Sequence, residues 1–113
     1  MIFYKKCVNI NLVIKMEIKE AKTFLQKLKG LMFQKKVNYI LKLKTNGIHT
    51  FFMKIPIDVI LTDKNNKILY IYRNLKPNRI ILPKKNVKYT YETPINYLKN
   101  IKINEKLKEC QKL

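Results

Sequence analysis

Apolar and polar positions alternate along residues 8–16. Val8, Ile10, Leu12, Ile14 and Met16 fall on one side, with Asn9, Asn11 and Lys15 on the other. That period of two predicts a strand with one buried face. From Ile18 the spacing changes: Ile18, Ala21, Phe24, Leu25, Leu28 and Met32 recur close to helical intervals, with Lys19, Lys22, Lys27 and Lys29 opposite. A helix over about residues 20–29 is expected, closed by Gly30, which tolerates a left-handed conformation at the cap.

Residues 37–44 predict a second strand, and Asn46-Gly47 a turn into a third. The stretch Ile48–Met53 is apolar or aromatic on both faces apart from His49 and Thr50, as expected of a central strand. Pro56 has no N–H and interrupts the ladder, so a bend or an edge is expected there. Residues 57–62 and 68–73 flank Asp63-Lys64-Asn65-Asn66-Lys67, the clearest hairpin in the chain. Residues 74–86 read as a loop with an extended stretch at 80–82. Val87, Tyr89 and Tyr91 give a further strand face. Pro94 can open a short helix through about Asn100, and residues 101–107 a last short strand. The expected fold class is α+β: a single small domain, residues 1–113, mostly an antiparallel or mixed β-sheet, with closure into a barrel left open. It carries one amphipathic helix near the N-terminus and a short helix near the C-terminus.

Composition sharpens this picture in part. A chain of 113 residues with 47% hydrophobic content and only two glycines supports one packed globule. The formal net charge of +18 is strongly basic, and such a charge attracts phosphate backbones or anionic lipid at low salt. The cations are nearly all lysine, however, with Arg73 and Arg79 the only arginines. Serine and tryptophan are absent and Ile, Asn, Tyr and Phe abound, the joint bias of an A/T-rich coding sequence. Lysine is therefore read first as a solubilising surface, and nucleic-acid binding as a disfavoured alternative. Cys7 and Cys110 show no CxxC spacing and read as free thiols. The apolar N-terminal stretch is too short and too polar for a membrane span. A cytoplasmic setting is expected.

Four phrases in order carry a likeness to a known family. They are Gly30-Leu31-Met32 after the amphipathic segment, "HTFFMKIPIDVI" from His49, "TDKNNKI" from Thr62, and "NLKPNRI" from Asn74. Together they resemble the domain of unknown function 192 family over roughly residues 8–107. The resemblance implies a small sheet-rich α+β domain and no established activity. The tail departs from it. Where the family has a Leu-Glu-Leu-Pro-like strand followed by glycine, Glu92 and Pro94 match but the glycines are missing.

The residues exclude several chemistries. Without serine there is no serine nucleophile, and with only Gly30 and Gly47 no phosphate-cradling glycine loop can form. A zinc site would have to join Cys7, His49 and Cys110 to a carboxylate at no recognised spacing, so neither metal nor cofactor is expected. The candidate binding residues are His49, Lys54, Asp58, Arg79 and Glu92. His49 is the only histidine, able to move a proton or lie packed in the sheet. Asp58 stands among apolar neighbours and either bonds backbone, pairs with Lys54 or orients His49. Arg79 can clamp a carboxylate or phosphate from its loop, or remain a solvated charge. Glu92 projects opposite Tyr91 and can pair with a lysine. The expectation is a binding or accessory module with a pocket beside residues 48–58, for an unknown small molecule or protein that is anionic in the favoured case. An enzyme using His49 as acid or base is the alternative, and the incomplete catalytic set leans against it.

Overall fold

Ile57–Thr62 (β5) is buried at every position, which only a strand covered on both faces can be. Ile57, Val59 and Leu61 point into one apolar cluster, Ile60 into a second. The computed structural model describes residues 13–14 and 17–109, and within them β5 lies inside a five-stranded sheet. Its neighbours are Tyr89–Thr93 (β8) on one side and Ile68–Leu75 (β6) on the other, both antiparallel. Beyond β8 come Ile40–Leu43 (β3), antiparallel, and then Ile18–Ala21 (β2), parallel to β3. Two further pairs lie outside this sheet: Val13–Ile14 (β1) with Lys108–Glu109 (β9), parallel, and Ile48–His49 (β4) with Ile80–Ile81 (β7), antiparallel. Most of the strand expected over residues 8–16, together with Cys7 and Cys110, lies outside the described residues.

The sheet is open, ending at β2 and β6, so the barrel alternative does not hold. Irregular chain covers its faces instead. One cluster centres on Leu31, Leu41, Leu43, Met53, Val59 and Leu61. The other gathers Ile40, Ile60, Ile68 and Tyr91 beneath Leu98, Ile101 and Leu107 of the C-terminal segment. Each fully buried side chain of this size contributes roughly 1.5–3 kcal/mol.

Several local elements differ from the sequence reading, each for a visible reason. The helix (α1) runs Phe24–Lys29, because Thr23 and Gln26 form a reciprocal capping box that fixes its start. Residues 18–21 pair with β3 rather than joining the helix. The expected central strand at 48–53 ends at His49. The Thr50 carbonyl accepts from Asn78 N (3.0 Å) and Met53 N (3.3 Å), and Phe52 takes φ +62°. Phe51 and Phe52 are consequently exposed rather than central. Residues 95–100 form turns, not a helix, since Asn96 has φ +63° and gives its N–H to Asp58. Val87 precedes β8 and packs in the cluster opposite Tyr89 and Tyr91. Residues 101–107 contain only a bridge from Lys106 to Lys67, the final strand lying at 108–109. The 63–67 hairpin forms as expected: Asp63 Oδ1 accepts from Asn65 N and Lys67 N, and Asn66 takes φ +62°.

Candidate functional site

Glu92 sits in β8 opposite Leu41 of β3 and Val59 of β5. Alternation along the strand therefore sends its side chain into the apolar cluster on the α1 side, away from Tyr91. It is 2% exposed, and its Oε1 has no hydrogen-bond partner among the described residues. A buried polar atom left in that state costs free energy and calls for a reason. Burial pushes the carboxyl up to about 8, so at neutral pH it is mostly protonated and able to donate a hydrogen bond. Among the described residues Glu92 does not form the expected lysine pair.

The carboxyl lies behind Gly30. That residue ends α1 with φ +49°, and its N–H donates to the Gln26 carbonyl at 2.9 Å. A β-carbon at Gly30 would stand 3.3 Å from Glu92 Oε1. On the outer side of Gly30 opens a cavity of about 300 Å³, walled by Lys19 and Ala21 of β2, Lys29, Gln34, Tyr39 and Leu41 among others. Burial first, and the Glu92 charge second, raise the Tyr39 phenol above its ordinary value. Lys19 Nζ stands 4.2 Å from the centre of the Tyr39 ring. The wall thus offers two ammonium groups, the Glu20 carboxylate, a phenol and the Gln34 amide, with the buried neutral Glu92 against Gly30 behind it. It contains no histidine or cysteine. Gln26, also on the wall, has its oxygen occupied by the N–H groups of Lys22 and Thr23.

The other sequence candidates are placed elsewhere. His49 accepts from Phe51 N at Nδ1 (3.2 Å), so its proton rides on Nε2 and points to the Leu28 carbonyl at 3.1 Å. Its ring stacks on Phe51 with centroids 5.2 Å apart. Asp58 is fully buried, and its partner is Arg73, with Nη1 2.9 Å from Oδ2. The same oxygen accepts from Asn96 N (2.9 Å), and Oδ1 accepts from Asn74 N (2.8 Å). Arg73 Nη2 donates to the Leu98 carbonyl at 2.7 Å. Asp58 therefore stands opposite a bulge at Arg73-Asn74, where the β5–β6 register shifts. Lys54 is exposed, and the Arg79 guanidinium reaches the Pro77 and Asn78 carbonyls beside it. A second cavity, about 530 Å³ beside Asp63, Lys67, Leu69 and Lys88, holds none of the five candidates. Among the described residues no group of three or more His, Cys, Asp or Glu could hold a metal ion. Tyr39, Lys19 and Arg73 were not singled out in the sequence. Only Arg73 gave a signal, as one of two arginines following a hairpin with a buried acid on its partner strand.

Residues 6–108 match DUF192, described as an uncharacterised ACR. The chain belongs to this family. A UPF0127 protein of Pyrococcus horikoshii is 38% identical over 92 residues, covering 76% of this chain and 79% of that protein. One from Thermococcus kodakarensis is 33% identical over 96 residues, covering 79% of this chain. The chain spans about 60% of the length of that relative. A solved structure from Sinorhizobium meliloti, described as a putative transcription regulator, superposes with TM-score 0.67 at 17% identity, covering 77% of this chain and 76% of the other. A protein of unknown function from Novosphingobium aromaticivorans gives TM-score 0.62 at 17% identity, covering 68% and 61%. These two share the fold. Within this DUF192 chain, two of the residues that carried the family likeness, Gly30 of the GLM turn and Glu92, stand against each other across the cavity wall. No helix among the described residues is long and apolar enough to cross a membrane.

Proposed function

We propose that this chain is a small binding module for an anionic or hydrogen-bond-accepting small molecule, seated in the cavity over Gly30 and Tyr39. The observation that carries the reading is the buried Glu92 carboxyl with an unpartnered oxygen directly behind that wall. Buried acids with displaced proton affinity beside a cavity are where ligand recognition concentrates. Lys19 and Lys29 outnumber the single carboxylate of the wall, Glu20, and supply the attraction for an anion, and Tyr39 and Gln34 the orienting hydrogen bonds. Binding is favoured over turnover because both ring nitrogens of His49 are engaged with main chain. A cytoplasmic setting belongs to this proposal.

The test is an amide-shift titration of the protein with a panel of carboxylates, inorganic phosphate and nucleotides. Shifts concentrated at Gly30, Gln34, Tyr39 and Leu41, and weakened in Lys19→Ala, are expected. Saturating amounts of every panel member leaving those amides unmoved would sink the reading.

A further inference from the structure

Three segments, residues 24–36, 48–56 and 76–85, meet on one side of the molecule. Phe33 N donates to the Phe52 carbonyl at 2.9 Å, and Thr50 N to the Arg79 carbonyl at 2.8 Å. His49 reaches the Leu28 carbonyl, and β4 pairs with β7. These segments bring most of the large exposed apolar side chains of the described residues. Leu25 (73% exposed), Leu28, Phe33 (58%), Phe51 and Phe52 (62%) stand on the first two, and Ile80, paired with His49, and Leu82 stand on the third. An accumulation of this kind marks an interaction surface rather than scattered exposure.

Phe33 and Phe52 are unusual in their backbone. Eight non-glycine residues among those described have positive φ, and six of them are asparagine, which tolerates that conformation. The other two are Phe33 (φ +66°) and Phe52 (φ +62°), whose rings stack on each other with centroids 5.7 Å apart. Elsewhere among the described residues this conformation falls to asparagine or glycine, the residues suited to it. At these two turns a bulky aromatic is held outward at a cost in strain, the kind of outlier that points to function.

The charge on the same segments has one sign. They carry eight lysines and Arg79, and all seven acidic residues of the chain lie outside them. We propose that this face docks on an anionic lipid surface, with the Phe33–Phe52 pair and Leu25 entering the headgroup boundary and the lysines meeting the headgroups. Apolar tips within a lysine field are the composition of interfacial membrane binding. A protein partner fits less well, since protein interfaces enrich arginine and deplete lysine. A single-stranded nucleic acid fits less well too: Leu25 and Leu28 offer bases nothing to stack on, and the two phenylalanine rings already cover each other. A second copy of the chain would bring the same cations face to face.

The experiment is flotation with phosphatidylcholine vesicles, with and without phosphatidylglycerol, comparing the wild-type chain and the Phe33→Asn/Phe52→Asn variant. Asparagine suits both backbone positions, so the variant is expected to fold with the wild-type circular dichroism spectrum. Wild type should float with anionic vesicles and scarcely with neutral ones, and the variant should bind about tenfold or more weakly. Because the chain has no tryptophan, Phe52→Trp reports insertion as a blue-shifted emission on anionic vesicles. Three results overturn the proposal: no flotation of the wild type, equal affinity of the variant, or Phe52→Trp emission that does not shift. Binding of a single-stranded RNA oligonucleotide lost in the variant, without vesicle binding, would reassign the face to base stacking.

Discussion

Gly30 and Glu92 constrain each other: a β-carbon at Gly30 would lie 3.3 Å from the Glu92 Oε1 atom, and Gly30 holds φ +49°. Both facts bear on Gly30→Ala. The positive-φ backbone disfavours any side chain, and the added methyl presses a carboxyl whose Oε1 is already without a partner among the described residues. A loss of about 1–3 kcal/mol is expected, read as a lower denaturant midpoint with an unchanged slope. In Glu92→Ala, which removes the pressed carboxyl, the same substitution should cost less. Equal costs in the two backgrounds would show that only backbone strain acts at Gly30.

Glu92 gives the fold a pH dependence of definite sign. Its folded value, about 8, lies above the ordinary 4.5. The folded chain therefore binds the proton more tightly than the unfolded chain. Its contribution is fully present below about pH 4.5, declines as pH rises, and is gone above about pH 8. The shift corresponds to several kcal/mol as an upper bound. Glu92→Gln keeps the shape and removes the titration. Its stability, measured by urea unfolding from pH 5 to 9, should lack the decline of the wild type, and its advantage over wild type should grow towards pH 9.

The sequence reading succeeded where a side-chain pattern and a backbone requirement coincide. The 63–67 hairpin was legible because Asp63 caps its own turn and Asn66 suits positive φ. It failed where the decisive contact is distant. Ile18 and Ala21 are the buried ends of β2, three residues apart, which imitates helical spacing. The Thr23–Gln26 capping box, which the spacing argument passed over, marks where the helix begins. The turn at Phe52 was not readable, because phenylalanine carries no preference for positive φ. For the site, Glu92 was legible as a matching motif residue. That it faces Gly30 and Tyr39 instead of a lysine depends on how β8 pairs between β3 and β5.

Asp58 fastens the C-terminal segment to the sheet. It satisfies Asn74 N at the bulge and Asn96 N in the tail, while Arg73 bonds both Asp58 and the Leu98 carbonyl. Arg73→Ala leaves a buried carboxylate with two main-chain N–H donors and no counter-charge, a loss of about 3 kcal/mol. Hydrogen exchange should rise first over residues 94–107. If exchange rose evenly across the sheet instead, the pair would not be acting as a local fastener.

His49 closes a helix end. The Leu28 carbonyl, in the last turn of α1, has no later turn to donate to it, and the His49 Nε2–H fills that place while Phe51 N holds Nδ1. His49→Ala removes both bonds and the stack on Phe51, so a stability loss of about 1–2 kcal/mol is expected. A general acid or base free to work would show the opposite, with turnover lost and the melting temperature unchanged. Long-range proton–nitrogen correlation spectra report the arrangement directly. They should show the proton on Nε2 in the neutral ring, and a neutral ring protonated at Nδ1 would contradict the hydrogen-bond pattern that ties α1 to β4.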